Sequence, residues 1–345
     1  MEGKVLVTGG TGYIGSHTAV ELIQEGFQVV IVDNLSNSEI EVLDGIEKIT
    51  GVRPEFYQED LCNKQKLADI FKKEKNIQSV VHFAAYKAVG ESTEKPLMYY
   101  KNNLLSTMNL LECMVEFAAK YLVFSSSCTV YGQPDELPVD ETAPVKEPMS
   151  TYGSTKQVAE RIIADTAKAV DELSAVSLRY FNPIGAHPTA LIGEKPQGIP
   201  NNLLPFITQT AFGLRDELKI FGDDYNTPDG TAIRDYINVV DLSKAHVVAI
   251  KRLLNGKNKK SNEFFNIGTG NGNSVLEMVQ SFEKVTGQKI NYRIVGRRPG
   301  DTEQVYADTS LANEELGWKA ETSLEDTLLS AWKWEKNYRE NLKKR

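Results

Sequence analysis

The chain has 345 residues, 41% of them hydrophobic and 25% charged, with a formal net charge of -8. This is the composition of a water-soluble globular protein with room for a sizeable core in one large or two smaller domains. The acidic balance argues against nucleic acid or an anionic membrane surface as the main partner, and no run of about 18 apolar residues marks a membrane span.

The first element is carried by "KVLVTGGTGYIGSH". Val5, Leu6 and Val7 form an apolar strand-like run, Gly9, Gly10, Gly12 and Gly15 follow, and a helical pattern runs from Ile14 through Val20 to Ile23. Strand, tight turn and helix in this order suit a phosphate ligand, because glycines let the backbone approach an anion and a helix N-terminus offers N–H groups and a positive dipole end. A glycine-rich loop joining two ordinary elements would have the same composition, so the context decides. The next run, "QVVIVDN", ends in Asp33, at roughly the 20-residue distance where an acidic side chain meets an adenosine ribose. A carboxylate there accepts from the ribose hydroxyls and repels a 2′-phosphate, which points to NAD rather than NADP. The competing reading of Asp33 is a strand-end residue that starts a turn.

Helix-like "NKQKLADIFKKEK", strand-like "SVVHFAAY", a helical stretch over 96–119 and the strand "YLVFSSS" follow. Strands alternating with helices predict an α/β fold with a doubly wound parallel sheet of Rossmann type, and ligands on such sheets collect at the carboxyl ends of the strands. Gly9 to Gly15, Asp33, Asp60, Phe83 to Lys87 and Ser125 to Ser127 fall there. Another helix follows Tyr152, and "AVSLRYFN" reads as a further buried strand. From Asn182 the chain turns rich in Pro, Gly and Asn ("NPIGAHPTALIGEKPQGIPNNLLPF"), which places a boundary there. Residues 1–181 are expected to form the cofactor domain and 182–345 mainly a smaller substrate-binding domain, with some segments returning to the first. The last strong helix is expected over 324–338, and the terminal "KKR" as its solvated end. Cys62, Cys113 and Cys128 show no CxxC pairing, and His17, His82, His187 and His246 no metal-ligand spacing. Reduced thiols and no metal are expected. The first strand starts within four residues of Met1 without a basic-then-apolar leader, so the expected location is cytoplasmic.

The stretch "STYGSTK" places Tyr152 and Lys156 on one face at the start of a helix, and of the 14 tyrosines only Tyr152 has a lysine four residues on. A phenol is a poor base at neutral pH unless a nearby ammonium favours the phenolate. Ser127, at the end of the preceding strand, offers a hydroxyl to the same substrate oxygen. A surface Tyr/Lys pair is the plain alternative, and the glycine turn and the serine-rich strand end weigh against it.

With these residues the chain resembles the extended short-chain dehydrogenase/reductase family, which shares the Gly-rich turn and the Ser, Tyr and Lys set. "TGGTGYIGSH", "DNLSNS", "HFAAYKAVGES", "FSSSCTVYG", "YFNPIGAH", "PQGIPNNLLPF", "IRDYINVVDL" and "RRPGD" resemble, over nearly the full length, that family's C4 epimerases of UDP-hexoses. The resemblance implies an NAD pyrophosphate turn at Gly9, Gly12 and Gly15 with Tyr13 and Ile14, the ribose at Asp33, Asn34 and Asn37, and the adenine between Asp60 and Leu61. Phe83, Ala84, Ala85, Lys87, Asn102, Ser125, Tyr152, Lys156 and Tyr180 would line the rest of the cofactor. Lys87, Ser127, Phe181, Asn182, Asn202, Leu203, Phe221, Arg234, Arg298, Asp301 and Val305 would take the nucleotide sugar. The arginines suit diphosphate oxygens, since a planar guanidinium can fork onto them, whereas ion pairing with Asp235 and Asp301 is the alternative.

The activity so implied is reversible C4 epimerisation of UDP-galactose and UDP-glucose through a transient 4-keto sugar and enzyme-bound NADH, with Ser127, Tyr152 and Lys156 catalytic. In that family a position four residues after the "RRxGD" aspartate gates the sugar's C2 substituent. Here it is Val305, which implies that UDP-GalNAc and UDP-GlcNAc are also taken, unless a neighbour such as Tyr306 closes the pocket. Cys128 is read as a buried filler. A nucleotide-sugar 4,6-dehydratase would carry an Asp-Glu pair after the catalytic hydroxyl, where this chain has Cys128 and Thr129; a silent dinucleotide sensor would lack the tyrosine or lysine. The resemblance also implies a homodimer through a four-helix bundle built from 98–116 and 153–168.

Overall fold

The computed structural model describes residues 3–298 and 301–343. Pro299 and Gly300 of "RRPGD", and Lys344 and Arg345 of the terminal "KKR", lie outside the described residues. The first half alternates strand and helix: β1 (Lys4–Thr8), α1 (Tyr13–Gln24), β2 (Gln28–Asp33), α2 (Val42–Thr50), β3 (Glu55–Gln58), α3 (Lys64–Lys73), β4 (Ile77–His82), α4 (Val89–Glu94), α5 (Pro96–Glu116), β5 (Tyr121–Ser127), α6 (Thr151–Ala169) and β6 (Ser174–Tyr180). Then come β7 (Asn182–Ile184), α7 (Leu203–Ala211), β8 (Leu218–Phe221), β9 (Ile233–Asn238), α8 (Val239–Leu254), β10 (Asn262–Ile267), β11 (Gly272–Ser274), α9 (Val275–Thr286), β12 (Tyr292–Val295), β13 (Gln304–Val305) and α10 (Leu324–Lys343).

Seven parallel strands form the main sheet in the order β10-β6-β5-β4-β1-β2-β3, so the chain reverses its direction of winding between β1 and β4. This switch point opens a crevice at the carboxyl ends of the strands, where a ligand binds in such folds. The first strand is buried on both faces and apolar at its centre: Val5, Leu6 and Val7 are at most 1% exposed. Val5, Val7 and Ile31 pack toward α1, α2 and α8 on one face; Leu6, Val80 and Leu122 pack toward α3, α5 and α6 on the other. The second sheet is smaller: β9 pairs with β11, β13 and β7, while β12 lies beside β8. A third core, including Ile207, Ile220, Phe282 and Trp332, joins these strands to α7, α9 and α10.

Several boundaries differ from the sequence-based expectation, among them the end of the helix expected over 96–119, which stops at Glu116. "SVVHFAAY" leaves the sheet after His82, because the Asn103 side chain on α5 binds both the N–H (2.8 Å) and the carbonyl (3.0 Å) of Tyr86 and pulls the chain aside. "AVSLRYFN" stops at Tyr180, and Asn182 begins β7, which pairs with β9 of the second sheet. The last helix extends beyond 338 to Lys343.

Candidate active site

The glycine turn is a cradle shaped by what a side chain would hit. Gly9 has φ +68° in the left-handed region, and a Cβ on Gly15 would sit 2.2 Å from the Gly9 carbonyl oxygen and 2.9 Å from Gly10 Cα. No side chain caps α1 at Gly12, so the first-turn residues Tyr13, Ile14 and Gly15 present their backbone to the cavity. Tyr13 ties this turn to the second half of the chain by donating to the Gly185 carbonyl (2.7 Å). Asp33 is held at the strand end: one carboxylate oxygen accepts from the Thr11 N–H (3.2 Å), the other from the Leu35 N–H (2.9 Å) and the Ser38 hydroxyl (3.1 Å). Its turn-building role therefore coexists with its place in the crevice. Asn34 donates to Asp60 (3.2 Å), which also accepts from the Cys62 N–H (2.8 Å).

All these groups face one cavity of about 1560 Å³, and every candidate cofactor and substrate residue named from the sequence lines it. At its centre stand Ser127 at the end of β5 and Tyr152 and Lys156 on the first turns of α6, whose start is capped by Ser150 accepting from the Gly153 N–H (3.1 Å). Burial pushes the Tyr152 phenol well above its ordinary pKa, and the neighbouring Tyr180 adds to this, while a hydrogen bond with Ser127 opposes it. Lys156 is brought down to about 7 by burial, with Glu160 opposing. Its ammonium donates to the Ser125 carbonyl (2.6 Å) and lies 4.8 Å from the Phe124 ring centre and 5.7 Å from that of Tyr152. The lysine thus donates to the β5 backbone while its ammonium lies beside the Tyr152 ring. Ser125 and Tyr180 share a hydrogen bond behind them. Burial pushes the Cys128 thiol up to about 12, which leaves it a neutral filler.

On the other wall, β13 sets Val305 beside Arg234 of β9. Arg234 donates to the carbonyls of Ile233 (2.8 Å) and Thr302 (2.7 Å). Among the described residues it makes no ion pair with Asp235, whose carboxylate instead accepts from the N–H groups of Thr269 (2.8 Å), Gly270 (3.1 Å) and Ala307 (3.2 Å). Arg298 does pair with Asp301 (2.7 and 3.1 Å), its guanidinium 5.6 Å from the Phe221 ring centre. Tyr306 is turned away against Gly272, so Val305 alone of the two borders the cavity.

Sequence reasoning missed Glu194. Its carboxylate accepts from Asn202 (2.5 Å) and lies 3.7 Å from the Lys87 ammonium, and burial raises its pKa against both. The only signal was an acid inside the Pro/Gly/Asn-rich stretch. Its loop is strapped down by Trp334, which donates to the Glu194 carbonyl (3.0 Å), and by Asn337, which donates to that of Ala190 (2.6 Å).

The family model for GDP-mannose 4,6 dehydratase matches residues 6–330. UDP-glucose 4-epimerase of Dictyostelium discoideum is 50% identical over 335 residues, covering 97% of this chain and 96% of its own. A crystal structure of UDP-glucose-4-epimerase from Stenotrophomonas maltophila, with bound NAD and formylated UDP-arabinopyranose, superposes with a TM-score of 0.95 at 48% identity over 99% of this chain and 100% of that one. The Bifidobacterium longum enzyme in complex with NAD+ and UDP gives 0.93 at 46% identity, covering 97% and 99%. Elimination chemistry of the dehydratase kind needs an acid and a base beside the catalytic hydroxyl, where this chain has Cys128 and Thr129. The chain belongs to the UDP-glucose 4-epimerase family.

Proposed function

We propose that this protein interconverts UDP-galactose and UDP-glucose by inverting the sugar at C4, using NAD held in the cavity. The observation that carries this reading is the meeting of Ser127, Tyr152 and Lys156 with the glycine cradle and with Arg234 and Arg298 in one cavity. The cradle fits a dinucleotide: a Cβ at Gly15 would close it, and Asp33 stands at the end of β2 to take a ribose diol and repel a 2′-phosphate. When bound, NAD supplies the acceptor, and later the donor, of the C4 hydride.

Gly9, Gly12, Tyr13, Ile14 and Gly15 would hold its pyrophosphate, Asp33, Asn34 and Asn37 its ribose, Asp60 and Leu61 its adenine. Phe83, Ala84, Ala85, Lys87, Asn102, Ser125 and Tyr180 would line the remainder. Tyr152 takes the proton of the sugar's C4 hydroxyl, directly or through Ser127, and returns it after the 4-keto sugar has turned over. The Lys156 ammonium stabilises the phenolate during that interval. Asn202, Leu203, Phe221, Arg234, Arg298 and Asp301 anchor the nucleotide while the sugar, near Phe181, Asn182 and Val305, swings. Because Val305 is small and Tyr306 is turned away, the same site takes UDP-GalNAc and UDP-GlcNAc.

The test is Tyr152→Phe, with a kcat for UDP-galactose lower by roughly 100-fold or more and calorimetric affinity for UDP within about threefold of wild type. Retained turnover would refute the assignment.

A dimer through α5 and α6 accords with their exposed Leu97, Met108, Val115 and Val158, and light scattering at twice the chain mass is expected. Among the described residues no helix is long and apolar enough to cross a membrane. The free thiols of Cys62, Cys113 and Cys128 suit a reducing compartment.

A further inference from the structure

Behind the catalytic residues lies a polar row that the proposed reaction does not use. Asn266 on β10, Arg179 on β6 and Ser126 on β5 are partners in register across three strands of the main sheet. Glu160, one turn beyond Lys156 on α6, closes over them. Its Oε1 accepts from the Ser126 hydroxyl (2.6 Å) and from Arg179 Nε (2.9 Å), and its Oε2 from Arg179 Nη2 (2.7 Å). Arg179 Nη1 donates to the Tyr131 hydroxyl (3.1 Å), which donates on to Asn266 (2.7 Å). The side chains of Arg179 and Glu160 are only 6% and 7% exposed.

A charged pair this deep is costly to desolvate and adds little net stability, so its presence here calls for another reason. Its place supplies one. Helix α6 is fastened to β5 by two consecutive rungs, the Lys156 ammonium on the Ser125 carbonyl and the Glu160 carboxylate on the Ser126 hydroxyl. The next residue of β5 is Ser127. We propose that Glu160 is a positioning residue, which sets the seat of α6 on β5 and places a carboxylate one helical turn from the Lys156 ammonium, beside Tyr152. The other titratable groups around Lys156 are Tyr152 on its own helix, His82 on β4, and Tyr180 and Arg179 on β6. Burial disfavours the charged forms of His82 and the two tyrosines, and the Arg179 cation is held in its pair with Glu160, so Glu160 is the carboxylate that favours the ammonium.

The kinetic part of this proposal rests on the epimerase reading; the direct titration of Lys156 does not. Lysine labelled with 13C at Cε is followed by NMR against pH in the purified protein, with Lys156→Met identifying the signal, and kcat is profiled over the same range. In Glu160→Gln the side chain keeps its size and loses its charge. The Lys156 midpoint is expected to fall by on the order of one pH unit, and, because the ammonium is the active form, the alkaline limb of kcat moves down with it. Ser126→Ala keeps both charges and removes one rung. It is expected to leave the midpoint in place while lowering kcat about tenfold, with KM within about twofold. A Glu160→Gln midpoint equal to wild type, or a uniform loss at every pH with no shift of the limb, would overturn the proposal. If that variant does not fold, Ser126→Ala with wild-type kcat does so.

Discussion

Replacement of Val305 by tyrosine tests the pocket's reading of its substrate. Val305 is 8% exposed and packs with Val130, Tyr131, Val139, Phe181 and Ala307, so that side of the strand has no room for a ring. The added phenol must turn into the cavity, whose volume of about 1560 Å³ has to hold a dinucleotide and a nucleotide sugar together. Forcing an N-acetyl group against it is an overpacking problem of about 1–3 kcal/mol, or roughly 5- to 150-fold in kcat/KM. UDP-galactose, with a hydroxyl at C2, escapes most of that penalty and is expected to stay within about threefold of wild type. The assay supplies UDP-galactose and UDP-GalNAc together and follows both anomeric protons by NMR. Full activity of Val305→Tyr on the acetylated pair, or an equal loss on both sugars, would refute the argument.

Gly15→Ala places a methyl 2.2 Å from the Gly9 carbonyl oxygen, so it is expected to bind NAD at least about tenfold more weakly by calorimetry, while keeping its far-UV circular dichroism. Asp33→Asn removes the charge facing the ribose, and the preference for NAD over NADP is expected to fall about tenfold by reconstitution titration. Acid should be destabilising: burial holds His17 and His82 at about 3 and His246 at about 4. The unfolded chain takes these protons near pH 6.5 and the folded one only near 3–4, so stability is lost as pH falls through that window, by about 1.4 kcal/mol per unit for each histidine. Glu21, Glu141, Glu194 and Asp235, raised by burial, offset part of it. A urea midpoint that is flat between pH 6.5 and 4.5 would contradict this balance.

What was legible in the sequence is what local geometry dictates. "KVLVTGG" ends in a turn whose positive φ at Gly9 favours glycine, "YLVFSSS" coincides with β5, and a spacing of four puts Tyr152 and Lys156 on one helix face. What was not legible depends on partners far along the chain. Phe181 continues the strand-like stretch "AVSLRYFN", yet the chain leaves the main sheet there because β9, some fifty residues on, pairs with Asn182 to Ile184. Tyr86 is drawn from its strand by Asn103, and Glu194 meets the cavity wall only where Lys87 and Asn202 converge on it. The same holds for Lys156: helical spacing brings it near Tyr152, but a β5 carbonyl takes its ammonium.

The most direct test of the central claim is the wild-type protein, purified and given UDP-galactose with no added NAD, followed by proton NMR of the anomeric signals. The account predicts conversion to UDP-glucose until both sugars stand at equilibrium, with no net change in the dinucleotide. No conversion, even after NAD is supplied, would contradict it.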